Sequence, residues 1–179
     1  MKGIVFNLLE DVVTRAHGAE TWDDLLDEAN VSGAYTSLGS YLDNDMVALV
    51  GAASAKLGIP PGDVLRWFGQ QAMPILAQHY PKFFTGHKSA RNFIISVNNI
   101  IHPEVHKLYP GASCPFFHFR EGEAGALVMD YQSARKLCDL AHGFVLGAAE
   151  YYSEQVDVTH HSCMHHGDDK CSMEIKWPN

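Results

Sequence analysis

The stretch 125-GALVMDYQSARKLCDLAHGFVLGAAEYYSEQ-155 changes character in its middle. "GALVMDY" (125–131) reads as a strand, and with "CPFFHFR" (114–120) it flanks the turn "EGEAG" (121–125) as one hairpin. From Ser133, a natural N-cap, the pattern turns helical, which predicts one long helix over 133–155. "VDVTHHSCM" (156–164) and "KCSMEIKW" (170–177) then form a closing hairpin around "HHGDD" (165–169). The second half is therefore expected to be an antiparallel sheet of four strands interrupted by one long helix.

Working back toward the N-terminus, the first half reads helical. Ile4, Val5, Leu8, Leu9, Val12, Val13 and Ala16 repeat at helical spacing until Gly18. Thr21 is placed to cap a short second helix with Leu25, Leu26 and Ala29 on one face, and Asp43 to cap a third that Gly58 stops. Pro61 suits the first position of a fourth helix, which Pro74 should kink or split. Ser89 caps a further helix running toward Ile100 and Ile101. Helices followed by a sheet make an α+β pattern. One domain spans 1–179, with a helical subdomain over about 1–60 and the rest over about 61–179.

Composition narrows the function classes. The chain has 179 residues, 46% apolar and 19% charged, as in a globular domain. A net charge of −8 argues against nucleic acid and anionic membrane as partners, since both demand basic patches. No apolar run reaches the length of a membrane span, and only a brief one separates Met1-Lys2 from Glu10 and Asp11, which predicts no secretory leader and a cytoplasmic protein. The four cysteines are then expected to be thiols or metal ligands rather than disulfides.

Three constellations carry chemistry. Tyr131, Ser133 and Arg135 fall at the strand-to-helix junction, where a helix N-terminus, an arginine fork and two hydroxyls would make an anion clamp; a plain cap beside a surface arginine is the competing reading. His102 sits among Ile100, Ile101, Val105 and Leu108, so it is either a core residue or a neutral imidazole ligand for a metal such as haem iron. Pro103 disfavours α conformation at His102 and removes an N–H, which predicts a kink or a fresh helix start there. Finally, "HHSCMHHGDDKC" (160–171), with Cys138 on the preceding helix, offers nitrogen and sulfur ligands for a tetrahedral structural zinc. Among its histidines, His160 and His161 point to opposite strand faces and His165 and His166 flank the turn, so the binding one stays open.

Together His102, "LYPGAS" (108–113), Pro115 and the Tyr131-x-Ser133-x-Arg135 run resemble the haem nitric oxide/oxygen binding (H-NOX) domain, the family of bacterial gas sensors and of the haem domain of soluble guanylate cyclase. The likeness covers essentially the whole chain, and the cysteine–histidine hairpin looks like the bacterial stand-alone subgroup. The resemblance implies haem b buried between the helices and the sheet, with His102 as the proximal iron ligand, Tyr131, Ser133 and Arg135 on the propionates and Pro115 pressing on the haem. It implies a distal wall of Val5, Leu9, Met73, Leu76, Leu140 and Phe144, and zinc on Cys138, His160, Cys163 and Cys171. Oxygen-binding members carry a tyrosine where this chain has Leu140. NO and CO are therefore the expected gas ligands, with O₂ binding weak or absent. The resemblance further implies that the domain by itself performs no reaction, that NO would weaken or break the iron–His102 bond, and that the signal would pass to a separate protein, such as a histidine kinase or a cyclic-di-GMP enzyme.

Three rivals come from other classes. A haem enzyme needs a distal acid–base pair, which the apolar wall lacks. A redox sensor acting through Cys138, Cys163 and Cys171 needs accessible thiols. A zinc hydrolase is disfavoured because a thiol-rich set reads as a closed site.

Overall fold

The computed structural model describes residues 1–178. Four helices come first: α1 (Gly3–His17), α2 (Ala19–Ala29), α3 (Asp43–Leu57) and α4 (Pro61–His79). The short helices α5 (Pro81–Thr85) and α6 (Ala90–Ser96) follow. A π-helical turn (Val97–Ile101) then runs directly into α7 (His102–Leu108). The second half is β1 (Phe116–Glu121), β2 (Leu127–Gln132), α8 (Cys138–Tyr151), β3 (Asp157–Ser162) and β4 (Cys171–Lys176). The four strands form one antiparallel sheet in the order β1-β2-β4-β3. The α+β class and the four-stranded sheet with one inserted helix are as expected. Among the described residues no helix is long and apolar enough to cross a membrane.

The sheet order explains the burial. β2 and β4 lie in the centre and are buried almost throughout, whereas the edge strands β1 and β3 stay half exposed. One core unites the inner faces of β2 and β4 with α8 and α6. A second unites α1, α2 and α3 with the α4 positions Val64, Leu65, Phe68, Ala72 and Ile75, and takes in Leu140 of α8. Helices α4 and α8 join the two cores by packing at very short range. A Cβ placed on Gly143 would lie 2.1 Å from the Arg66 carbonyl oxygen, and one on Gly147 would lie 2.6 Å from that of Gln70.

Several local expectations are corrected. Pro74 does not split α4, which runs unbroken for 19 residues. The ring removes the bond that would reach the Gln70 carbonyl, but that carbonyl faces Gly147, where a bare Cα can approach it. Thr21 lies inside α2 and its hydroxyl donates to the His17 carbonyl at 2.9 Å. Asp43 is the first residue of α3, after Leu42, and its carboxylate is used elsewhere.

The long helix is also shorter than expected. α8 begins at Cys138, not Ser133, because Lys136 takes a left-handed conformation (φ 51°), and it ends at Tyr151 before Ser153 (φ 58°). Residues 133–137 form a turn closed by the Lys136 N–H on the Ser133 carbonyl at 3.0 Å. His102 is itself α-helical (φ −61°, ψ −40°), against the pre-proline preference. The joint appears one turn earlier, where the His102 N–H reaches back five residues to Val97. That widened turn relieves the clash between the Pro103 ring and the carbonyl of Asn99, and Pro103 falls in the first turn of α7, where its missing N–H is least costly.

Candidate functional site

An apolar cavity of about 360 Å³ opens between the two cores. Met1 and, along α1, Ile4, Val5 and Leu8 reach it, so one helical face supplies most of one wall. Met73 and Leu76 of α4 and Leu140 and Phe144 of α8 continue that wall. Leu9 is a correction: it does not line the cavity but lies buried in the N-terminal core with Val12 and Trp22, and Leu8 takes the place expected of it. His102 stands on the cavity lining, and so do Pro115, Tyr131, Ser133 and Arg135.

His102 lies against an aromatic neighbour, with its ring nitrogens unengaged among the described residues. Its ring stacks on Phe117, with centroids 5.9 Å apart and planes at 29°. Burial, with a smaller push from His106, lowers its pKa to about 4, so the imidazole is neutral near pH 7. Neither ring nitrogen makes a hydrogen bond among the described residues. A neutral lone pair is thus free at an apolar wall, which suits a metal of intermediate softness.

Tyr131, Ser133 and Arg135 share the cavity lining, but not on a helix N-terminus. Since α8 starts later, Ser133 caps a turn: its Oγ accepts from the Arg135 N–H at 3.3 Å. Tyr131 is almost wholly buried and its hydroxyl accepts from the Leu137 N–H at 2.9 Å. Burial raises its pKa, so it keeps its proton. Arg135 Nε donates to Asp43 Oδ2 at 2.9 Å and Nη1 to the Ser113 carbonyl at 2.8 Å. Nη2 makes no hydrogen bond among the described residues, and so a charged donor remains for an anion at the cavity rim.

The cavity fits haem: an unengaged imidazole on one side, apolar walls, and a tyrosine, a serine and an arginine at the rim. Some residues of the site escaped the sequence reading. Tyr80 and Tyr109 line the cavity and their hydroxyls hydrogen-bond each other at 2.6 Å. Asn98 binds the backbone of Phe117 through both atoms of its amide. No spacing in the sequence pairs these residues. Cys114 lines the cavity half-buried, and burial pushes its thiol up despite Arg135.

A second cluster lies beyond α8. The sulfurs of Cys138, Cys163 and Cys171 lie within 4.8 Å of one another, with Cys163 3.7 Å from each of the others. The Met164 N–H donates to Cys171 Sγ at 3.2 Å. His160 does not join this group: its Nε2 lies 3.1 Å from Nδ1 of His142, a buried residue one turn after Cys138 that the sequence reading missed. His161 turns to the other face and meets Glu174. His165 lies with Asp139 beside Cys138, its Nε2 on the Lys136 carbonyl at 2.7 Å.

Comparison with known proteins gives a concordant picture. The family model described as Haem-NO-binding matches residues 2–160. An H-NOX protein from S. oneidensis, solved in the Fe(II)NO ligation state, is 31% identical with a TM-score of 0.92, over 100% of both chains. A structure of an H-NOX domain from Shewanella oneidensis in the Fe(II)CO state is also 31% identical, with a TM-score of 0.89 over 100% of this chain and 99% of that one. The unliganded Fe(II) H-NOX protein from K. algicida is 26% identical, with a TM-score of 0.88 over 100% and 97%.

Proposed function

The chain belongs to the haem-NO-binding (H-NOX) family of haem-based gas sensors, and we propose that within it this protein senses nitric oxide and switches a separate signalling protein. The observation that carries this reading is the neutral, unbonded His102 imidazole on an apolar cavity whose rim holds Tyr131, Ser133 and Arg135. Haem b bound there would supply a ferrous iron that takes a diatomic gas. His102 would hold the iron, Arg135 and the hydroxyls of Tyr131 and Ser133 would hold the propionates, and Pro115 would pack against the ring. His102, if no longer held by the iron, would leave α7 able to shift.

Ligand choice follows from the other wall. O₂ as a ligand draws negative charge and depends on a hydrogen-bond donor. Val5, Met73, Leu76, Leu140 and Phe144 offer none. NO and CO depend little on such a donor. The partner in this reading is a histidine kinase or a cyclic-di-GMP enzyme in the cytoplasm. The supporting observation for one haem-binding unit is that the cavity draws its walls from residues of both cores.

A structural zinc belongs to the same reading. Cys138, Cys163 and Cys171 would hold it, and the three close sulfurs fit a tetrahedral site. For His160 to be the fourth ligand, its imidazole must leave His142. Burial pushes the metal-free thiols of Cys138 and Cys171 up, away from the thiolate that a redox sensor needs.

The test is the absorption spectrum of purified ferrous protein with and without NO. A haem-loaded protein whose Soret band moves to the five-coordinate nitrosyl position supports the proposal. A protein that takes up no haem, or forms a stable oxy species in air, defeats it.

A further inference from the structure

The segment that carries His102 is held by unusual means. None of the residues of the π-helical turn 97–101 or of α7 is fully buried. Packing therefore fixes this segment weakly, and it belongs to the low-stability end of the fold. Among the described residues, only two sets of side-chain hydrogen bonds leave residues 97–109.

One set lies four residues before His102. Asn98 Nδ2 donates to the Phe117 carbonyl, and the Phe117 N–H donates to Asn98 Oδ1 at 3.2 Å. Phe117 is on β1, an edge strand, and it pairs with Tyr131 across the sheet. The carboxamide thus takes both backbone groups, as a neighbouring strand would. The Phe117 ring touches His102 on one side and Tyr131 on the other, with centroids 5.9 Å and 5.8 Å away. A single strand residue joins the iron ligand, the helix bearing it and the anion clamp.

The other set lies at the far end. Tyr109 ends α7 and Tyr80 ends α4, and their hydroxyls meet at 2.6 Å. This is one bond between two helix ends, whereas Asn98 makes two to the backbone of the sheet. One end is stiff and the other soft.

On the reading that His102 is the iron ligand, we propose that Asn98 and Tyr109 are positioning residues that set how readily His102 leaves the iron. The Asn98–Phe117 pair is a pivot that persists in both states. The Tyr80–Tyr109 bond is a latch that opens when α7 moves. A gas ligand shifts the population of the open state only against that latch.

The experiment uses ferrous, haem-loaded protein and reads amide hydrogen exchange over 97–109, the iron–histidine stretching frequency, and the ratio of five- to six-coordinate NO complex. Tyr109→Phe and Tyr80→Phe should each speed exchange at 105–109 and raise that ratio by roughly three- to tenfold, the worth of one hydrogen bond. The double variant should exceed neither single one, since all three remove the same bond. Asn98→Ala should shift the stretching frequency and speed exchange across the whole segment, and Asn98→Asp, which keeps the acceptor, should fall between it and wild type. Additive tyrosine effects, unchanged exchange at 105–109, or an unshifted frequency in Asn98→Ala would overturn the proposal. Wild-type protein that binds no haem would instead defeat the sensor reading, so the two failures are distinct.

Discussion

Arg135 and Asp43 meet at the cavity rim, where the guanidinium Nε donates to the carboxylate at 2.9 Å, while the other oxygen of Asp43 holds the Met1 ammonium at 2.7 Å. One carboxylate thus ties the clamp after β2 to the starts of α3 and α1. Burial alone would raise Asp43, but the ammonium and the guanidinium outweigh it and hold the carboxyl below its ordinary value.

A folded-state pKa below the unfolded one gives stability that is present above the ordinary carboxylate range, about 3.9, and lost as the pH falls through the folded value. Asp43 is nearly half exposed, which limits the pair to under about 1 kcal/mol. Asp43→Asn should melt slightly below wild type at pH 7, and the two should converge as the pH drops toward 3. A gap in melting temperature that persists in acid would contradict this role.

Leu140 faces the cavity from α8 and is nearly buried. Leu140→Tyr should place a hydroxyl donor in that wall. One hydrogen bond of about 1–2 kcal/mol corresponds to a gain in O₂ affinity of roughly tenfold or more. Absorption spectra of the ferrous variant in air should show an oxy species that wild type lacks, with NO binding retained.

The α4–α8 crossing packs backbone directly against backbone. Gly143→Ala must push α8 off the Arg66 carbonyl, because backbone cannot yield as a flexible side chain does. A loss of about 3 kcal/mol is expected by urea denaturation. Gly51, inside α3, has open space around its added Cβ. Gly51→Ala should leave stability unchanged or raise it by up to about 1 kcal/mol.

Metal content tests the thiol cluster apart from the haem. Wild type should purify with zinc, and Cys171→Ser should lose most of it while keeping its haem spectrum. Equal zinc in both proteins would remove the cysteines from any metal site.

Much of the fold was legible because its signals are local. Gly18 and Pro61 mark real helix boundaries, Ser89 caps α6 through its oxygen on the Asn92 N–H, and the four strands lie where the residue alternation and turns place them. The start of α8 was not legible. Ser133 is a good cap by type, but the left-handed Lys136 and the Leu137 N–H on the Tyr131 hydroxyl hold the chain in a turn until Cys138. Pro74 misled for a similar reason: the Gln70 carbonyl that its ring leaves without that N–H sits against a glycine 73 residues away, on another helix.

The sequence by itself determined which residue types are present for a haem site: an imidazole before a proline, a Tyr-x-Ser-x-Arg run, and three cysteines with their histidines. Side-chain chemistry and short spacings are properties of the chain, so they can be read from it. Only the tertiary structure decided which of them share a space. It turned Leu8 and not Leu9 toward the cavity, set Asp43 against Arg135, paired His160 with His142 and joined Tyr80 to Tyr109. Each of those contacts spans elements whose relative placement depends on how both cores pack, and no periodicity within one element encodes it.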